Sequence, residues 1–249
     1  CLRSLLNSVV DSKELVIREE TLFDILMFKS ILNSDSIYKG IYKIKPGRYI
    51  RYDLTTNETF HKQYYYPCNS LTKNKTNSLD NVSEHLLVLI RQAVLKRIDP
   101  KKEQAIYLSG GLDSSLIAAI TREIYPDIPI HTFNLNYQSS NSKIGKGKEL
   151  DRYFSNLVSK SIRSIHHEIK INPDFLGHDL PLIIKCFGEP YSGVPSMWFV
   201  AKEVKNYAKY SLSGDGADEL FGSYFTHRAA FRNRPVSIEN CLQLIIGYS

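Results

Sequence analysis

Two short stretches concentrate the residue types that handle anions and cations. The first is Ser109-Gly110-Gly111-Leu112-Asp113-Ser114-Ser115, preceded by Ala105-Ile106-Tyr107-Leu108 and followed by Leu116-Ile117-Ala118-Ala119-Ile120. The leading apolar run suits a buried strand, and the trailing one reads as a helix start. A strand that turns into a helix through glycines leaves several backbone N–H groups aimed at one point. The positive end of the helix dipole adds to them, and the result is an anion site. The hydroxyls of Ser109, Ser114 and Ser115 can add donors, and Asp113 stands where it could hold a divalent cation against the same anion. For Gly-Gly alone a plain strand-to-helix turn with a serine cap is the better reading; the hydroxyls and the acid tip the balance. The second stretch is Ser211-Leu212-Ser213-Gly214-Asp215-Gly216-Ala217-Asp218-Glu219-Leu220-Phe221-Gly222-Ser223-Tyr224. Its three acids could form a turn and cap a short helix, but their place among glycines, with the first loop elsewhere in the chain, favours a metal–nucleotide role.

No Gly-Lys-Ser/Thr follows the first glycines, so the loop is not a Walker A motif. It resembles the pyrophosphate loop of ATP pyrophosphatases, which cleave ATP between the α- and β-phosphates. The two stretches together resemble the synthetase domain of the asparagine synthetase family, and the resemblance covers most of the chain. It implies an α/β fold with a parallel sheet flanked by helices, like other ATP pyrophosphatases and adenine nucleotide alpha-hydrolases. It implies ATP and Mg²⁺ as cofactors, with Asp113 and Asp218 on the metal. Residues matching Leu108, Leu135, Ser213 and Gly214 touch ATP in the family, beside Ser109, Gly110, Gly111, Asp113, Ser114 and Ser115 of the loop. Asp215 matches the position where asparagine synthetases usually carry Glu, tied there to forming an adenylate; Asp is shorter by about one C–C bond, ~1.5 Å. The implied reaction makes asparagine from aspartate with glutamine-derived ammonia, through an acyl-adenylate. A synthetase-like cyclase closing a lactam or macrolactam shares both motifs, and a tRNA-modifying ATP pyrophosphatase shares only the first.

The elements that must position these loops alternate. Leu79–Ile98 is an amphipathic helix with Val82, Leu86, Leu89, Ile90, Ala93 and Val94 on one side. Strands are predicted at 105–108, 130–135, 164–171 and 208–213, with helices after the first loop and over 149–162, 173–187 and 196–207. Strands alternating with helices argue for a doubly wound parallel sheet with ligands at its carboxyl ends. The polar run 138–148 contains Gly-Lys-Gly-Lys, but no strand immediately precedes it, and a loop is the expectation. His166-His167-Glu168 sits on a strand, where adjacent histidines point to opposite faces and cannot share one ion. Glu189-Pro190 resembles a family turn on the substrate side.

Ahead of this lie helical spacings over 2–10 and 21–32, the latter through Leu22, Ile25, Leu26, Phe28 and Ile31. Then comes Ile37 to Ile50, read as two short strands about a turn at Pro46-Gly47. Their order resembles the end of the family's glutaminase domain, an N-terminal nucleophile-type α+β fold. The expected division is residues 1–68 as its C-terminal remnant and 69–249 as a synthetase domain incomplete at its C-terminus, with the polar 69–78 as linker. The chain reads as cut at both ends, which makes Cys1 a truncation point and not a nucleophile.

Composition fits an ordinary soluble globular protein. At 249 residues, 43% hydrophobic and 23% charged, the chain can build a substantial core. A net charge of +6 is scattered, so no nucleic-acid face is indicated, and ATP suits the sign equally well. Cys1, Cys68, Cys186 and Cys241 are too far apart for a zinc or disulfide framework. No run spans a membrane and no signal segment opens the chain. The expectation is a cytoplasmic protein with small-molecule partners, no nucleic acid and no membrane; a homo-oligomer stays open.

Overall fold

The computed structural model describes residues 2, 5, 6, 15–66, 78–137, 143–171, 178–190 and 194–224. Two compact units emerge, Cys1–Ser78 with Leu182–Ser192, and Leu79–Pro181 with Gly193–Ser249. Among the described residues no helix is long and apolar enough to cross a membrane.

In the first unit, α1 (Glu19–Phe28) carries Glu19 and Glu20 in its first turn, where the dipole favours them. It stops at Lys29, which takes a left-handed conformation. The expected helix over 2–10 lies mostly outside the described residues. The hairpin is displaced from its expected place. β1 (Arg48–Tyr52) pairs antiparallel with β2 (Thr59–Gln63), and Pro46-Gly47 precedes both strands instead of joining them. The turn is made by Asp53–Glu58. Asp53 Oδ1 accepts the N–H groups of Thr55 and Thr56, and Asn57 takes φ 58°. Gly47 has another duty: its carbonyl accepts the N–H groups of Tyr64 and Tyr65, and a Cβ there would collide with the Tyr65 carbonyl.

The described residues of the second unit form a four-stranded sheet in the order β5-β4-β3-β6, parallel throughout. The strands are β3 (Gln104–Tyr107), β4 (Ile130–Tyr137), β5 (Ile165–Ile171) and β6 (Ser211–Leu212). The unit's helices are α2 (Leu79–Leu95), before β3, then α3 (Leu112–Ile124), α4 (Lys143–Ser161) and α6 (Val194–Val204), while α5 (Leu180–Phe187) belongs from Leu182 onward to the first unit; α7 (Ala217–Phe221) is the last described helix. Alternate residues on each strand face opposite sides. Ile106, Leu108, Ile130 and Leu212 pack with Val94 of α2 and Ile98 just after it, with Ala118 and Ile120 of α3, and with Ile162 after α4. Ala105 and Phe133 pack on the other side with Val200 and Val204 of α6. The sheet is therefore covered on both faces, as a parallel sheet must be.

The placement of the helices follows from the hand of the crossovers. From β3 through β4 to β5 the sheet grows in one direction, with α3 and α4 on one face. β6 is then added on the far side of β3. Crossovers are right-handed almost without exception, so reversing the direction of growth moves the connecting helix to the opposite face. That is where α6 lies. The reversal makes a topological switch point between β3 and β6, the place where parallel sheets open a crevice beyond their carboxyl ends.

Several expected boundaries shift. α4 begins at Lys143, so 143–148 of the expected loop is helical and 138–142 lies outside the described residues. Its glycines lower helix propensity by about 1 kcal/mol each without ending the helix. α2 stops at Leu95, and its core contacts are Leu87, Ile90 and Val94, while Val82 and Leu89 stay exposed. β6 has two residues where six were expected. The expected linker at 69–78 lies almost entirely outside the described residues.

Candidate active site

Both glycine-rich loops leave the same rim. β3 and β6 pair through Ala105 with Ser211 and Ile106 with Leu212, so the loops that follow start side by side. They also touch. A Cβ added to Gly214 would stand 2.9 Å from the Ser114 amide nitrogen and 3.0 Å from Asp113 Cβ, too close for any side chain. Only glycine allows the second loop this approach to the start of α3.

The first loop is shaped from within. Ser109 Oγ lies 3.0 Å from Ser114 Oγ and accepts the Gly111 N–H at 3.2 Å. Ser114 Oγ also donates to the Gly111 carbonyl at 3.3 Å. Gly110 adopts φ +88°, a left-handed conformation that a side chain resists. Beneath it runs α4, and a Cβ at Gly110 would meet the Asp151 carbonyl oxygen at 2.4 Å and the Ser155 nitrogen at 2.8 Å. Gly111 is the N-cap of the 13-residue α3 and brings no side chain to cap it. The first-turn N–H groups of that helix are thus left for an incoming anion. Ser115 donates its own N–H to the Gly111 carbonyl, so what it adds is a half-buried hydroxyl.

The second loop carries the acids. Asp215 is exposed and its N–H donates to Ser213 Oγ at 3.4 Å. The N-cap of α7 is Gly216, φ +94°, and no side chain caps the helix, so Asp215 and Asp218 do not serve as caps. Ser223 returns to α7: its N–H donates to the Asp218 carbonyl, and its hydroxyl to Asp218 Oδ1. Tyr224 donates to Glu219 Oε1 at 2.9 Å. That hydrogen bond, with partial burial and the negative charges of Glu219, Asp218 and Asp215, pushes the Tyr224 phenol above its ordinary value.

The asparagine synthase family model matches residues 85–240, more than half of the chain and both loops. The chain belongs to the asparagine synthase family. Asparagine synthetase [glutamine-hydrolyzing] 1 of Bacillus subtilis is 26% identical over 235 residues, covering 91% of this chain and 34% of that protein. A putative asparagine synthetase of Methanocaldococcus jannaschii is 27% identical over 203 residues, covering 79% of this chain and 36% of that protein. The chain thus spans about a third of the length of the curated relatives it matches. Among solved structures, an NMN synthetase from Francisella tularensis aligns over 60% of each chain at 20% identity and a TM-score of 0.37, too low to bear on fold or function.

For this asparagine synthase family member, the residues singled out from sequence fall into three groups. Ser109, Gly110, Gly111, Asp113, Ser114 and Ser115 form the first loop and helix start. Ser213, Gly214, Asp215 and Asp218 stand on the adjoining loop and α7, with Gly214 against Asp113. Leu108 and Leu135 are different. Leu108 is fully buried in the core, its N–H donating to the Phe133 carbonyl and its own carbonyl accepting from Asn134. Leu135 is half-buried on the opposite face, against the cluster of Ala105 and Phe133. Glu189 belongs to the first unit, where its Oε1 pairs with Lys43 Nζ at 2.7 Å.

The histidines separate across the sheet. His166 Nδ1 meets Thr132 Oγ1 at 2.9 Å on the α4 face. His167 Nε2 meets His131 Nδ1 at 2.9 Å on the other, and His131 Nε2 reaches Glu103 at 3.2 Å. His131 and His167 both pack at a tilt against the Tyr207 ring. Burial pushes both His166 and His167 below the ordinary histidine range. Glu168 takes a two-pronged bond from Arg152 Nε at 3.0 and 2.9 Å, which holds its carboxyl below the usual range. Among the described residues no three His, Cys, Asp or Glu side chains gather as a metal site.

Proposed function

We propose that this chain carries the nucleotide half of an ATP-dependent amide ligase, making asparagine from aspartate and glutamine-derived ammonia through an acyl-adenylate. The observation behind this reading is the contact of Gly214 with Asp113 and Ser114 at the β3–β6 switch point, which joins the two loops into one crevice. Membership of the asparagine synthase family supports it.

The donor set suits a magnesium nucleotide. Mg²⁺ takes one or two protein carboxylates and fills its other positions with phosphate oxygens and water. Asp113 on one loop and Asp218 on the other would supply those carboxylates, and bound Mg²⁺ would offset charge on the phosphates. The Gly110 amide, the Ser109, Ser114 and Ser115 hydroxyls and the uncapped start of α3 would hold the phosphates, with Gly111 allowing the backbone its close approach. Ser213 and Gly214 would line the nucleotide. With Asp215 beside the reacting groups, a carboxylate oxygen of the acceptor attacks the α-phosphorus and pyrophosphate leaves. Ammonia then attacks the acyl carbon, a proton is lost, and AMP departs. Positioning and charge compensation carry the first step.

Asp215 also favours a second reading. It is a shorter acid than the glutamate usual in asparagine synthetases, which suits an acceptor other than aspartate, such as the carboxylate a lactam-forming cyclase closes on.

The test is exchange of labelled pyrophosphate into ATP by the full-length protein. Asp113→Ala and Asp218→Ala should each remove exchange while leaving the fold intact; losing ~4 kcal/mol of transition-state stabilisation slows a reaction about a thousandfold. Near wild-type exchange in either variant would overturn the two-acid assignment, and exchange that depends on an acid other than aspartate would favour the cyclase.

A further inference from the structure

Asn134 stands out as a buried amide on a strand whose other buried side chains include Ile130, His131, Thr132 and Phe133. It is only 4% exposed, on the face of β4 that carries Ile130 and Thr132. Its Nδ2 donates to the Leu108 carbonyl at 3.0 Å. Its Oδ1 is buried and has no partner among the described residues. Leu108 is the last residue before Ser109-Gly110-Gly111, and its N–H still follows the sheet, donating to the Phe133 carbonyl at 2.9 Å.

In a parallel ladder the next rung would bring a backbone N–H of β4 to that carbonyl. What holds the Leu108 carbonyl is the Asn134 side chain. A backbone rung would keep the chain in the plane of the sheet for another residue. A side-chain donor reaching from the face lets the chain leave directly after Leu108. The orientation of the amide follows from this duty: the carbonyl needs a donor, so Nδ2 must face it and Oδ1 is turned away into the interior. A buried acceptor left unmet is unfavourable, and native folds keep few of them.

We propose that Asn134 is a positioning residue for the glycine loop, fixing the Leu108 carbonyl so that Ser109, Gly110 and Gly111 leave β3 on the line an anion requires. The proposal rests on the reading of that loop as the nucleotide site. Asn134 touches no ligand in this role; it acts through Leu108.

The test is calorimetric titration of the 249-residue chain with ATP in the presence of magnesium chloride, beside thermal unfolding. Asn134→Leu keeps the volume and removes both the donor and the unmet acceptor. It should weaken ATP about tenfold, since small misplacements of positioning groups are costly, while unfolding within about 3 °C of wild type. Asn134→Asp should also bind weakly at neutral pH and recover as pH falls, because only the protonated carboxyl can donate to Leu108; this pH profile carries the test should Asn134→Leu fail to fold. Ser114→Ala gauges the underlying reading. If Ser114→Ala weakens binding and the Asn134 variants do not, the role of Asn134 is wrong. If Ser114→Ala is without effect, or the wild-type chain takes up no ATP, the proposal falls with the reading of the loop.

Discussion

Replacing Gly110 and Gly216 by alanine separates two costs that a left-handed glycine conceals. Both have positive φ, +88° and +94°, so each alanine meets backbone strain of about 1–2 kcal/mol. Each alanine also loses less entropy on folding, which returns ~0.4–1 kcal/mol. At Gly216 nothing lies within 4 Å of the new Cβ, so the balance there is a loss of about 1 kcal/mol. At Gly110 the Cβ would stand 2.4 Å from the Asp151 carbonyl oxygen and 2.8 Å from the Ser155 nitrogen, both backbone atoms of α4. Ordinary contact is near ~3.5 Å, so the helix or the loop must retreat by about 1 Å. Overpacking of that kind adds ~1–3 kcal/mol.

Gly110→Ala should therefore lose about 3 kcal/mol against about 1 for Gly216→Ala. At this chain length each kcal/mol lowers the midpoint by about 2–4 °C. Thermal unfolding followed by circular dichroism, with urea unfolding as a check, reads the difference. Equal losses in the two variants would refute the close seating of the loop on α4, because strain alone cannot distinguish the sites.

Three other outcomes follow. His166 and His167 are held below the ordinary histidine range by burial, so the unfolded chain binds protons first as pH falls through the unfolded value of about 6.5; stability is complete above that pH and lost below it, and a urea midpoint unchanged from about pH 7.5 to 5 would contradict the burial of these rings. Arg122 donates to the carbonyls of Ile162, Tyr125, Pro126, Ile128 and Arg163; Arg122→Ala should destabilise by about 2–4 kcal/mol, and Arg122→Lys, which lacks the planar fork, should recover little of it in denaturant unfolding. Asp215→Asn keeps shape and a hydrogen-bonding oxygen while removing charge, so in the full-length protein it should retain ATP binding by calorimetry and lose pyrophosphate exchange; undiminished exchange would remove Asp215 from the chemistry.

Much of the second unit is legible in the sequence because backbone geometry leaves few alternatives. A short apolar run, two glycines and a helix start allow one local shape, and alternating strands and helices allow one kind of sheet. The hairpin shows how a strong turn signal misleads: Pro46-Gly47 draws the eye, but the strands follow it, and Asp53 with Asn57 makes the turn through side-chain bonds a dipeptide rule overlooks. The His131–His167 pair escaped because its members are joined by the register of β4 and β5, thirty-six residues apart. Asn134 left one usable trace, a polar residue between Phe133 and Leu135 on a predicted strand.

The last step concerns why the second loop needs Gly214 so close to Asp113. The β3–β6 ladder has only two rungs, and among the described residues β6 is an edge strand, added after the sheet changes direction. A ladder that short fixes where the second loop begins and leaves its course beyond Leu212 weakly set. The course is set by contact instead: Gly214 lies against the first turn of α3, the same turn whose N–H groups remain uncapped. The two loops therefore share one wall. A displacement of the α3 start moves Asp113, Ser114 and the second loop together, and the relative placement of the acids on the two loops is kept even if the rim shifts as a whole. Coupling of that kind suits a site that must hold one anion and one cation in register, and it explains why glycine, and not a larger residue, stands at the contact.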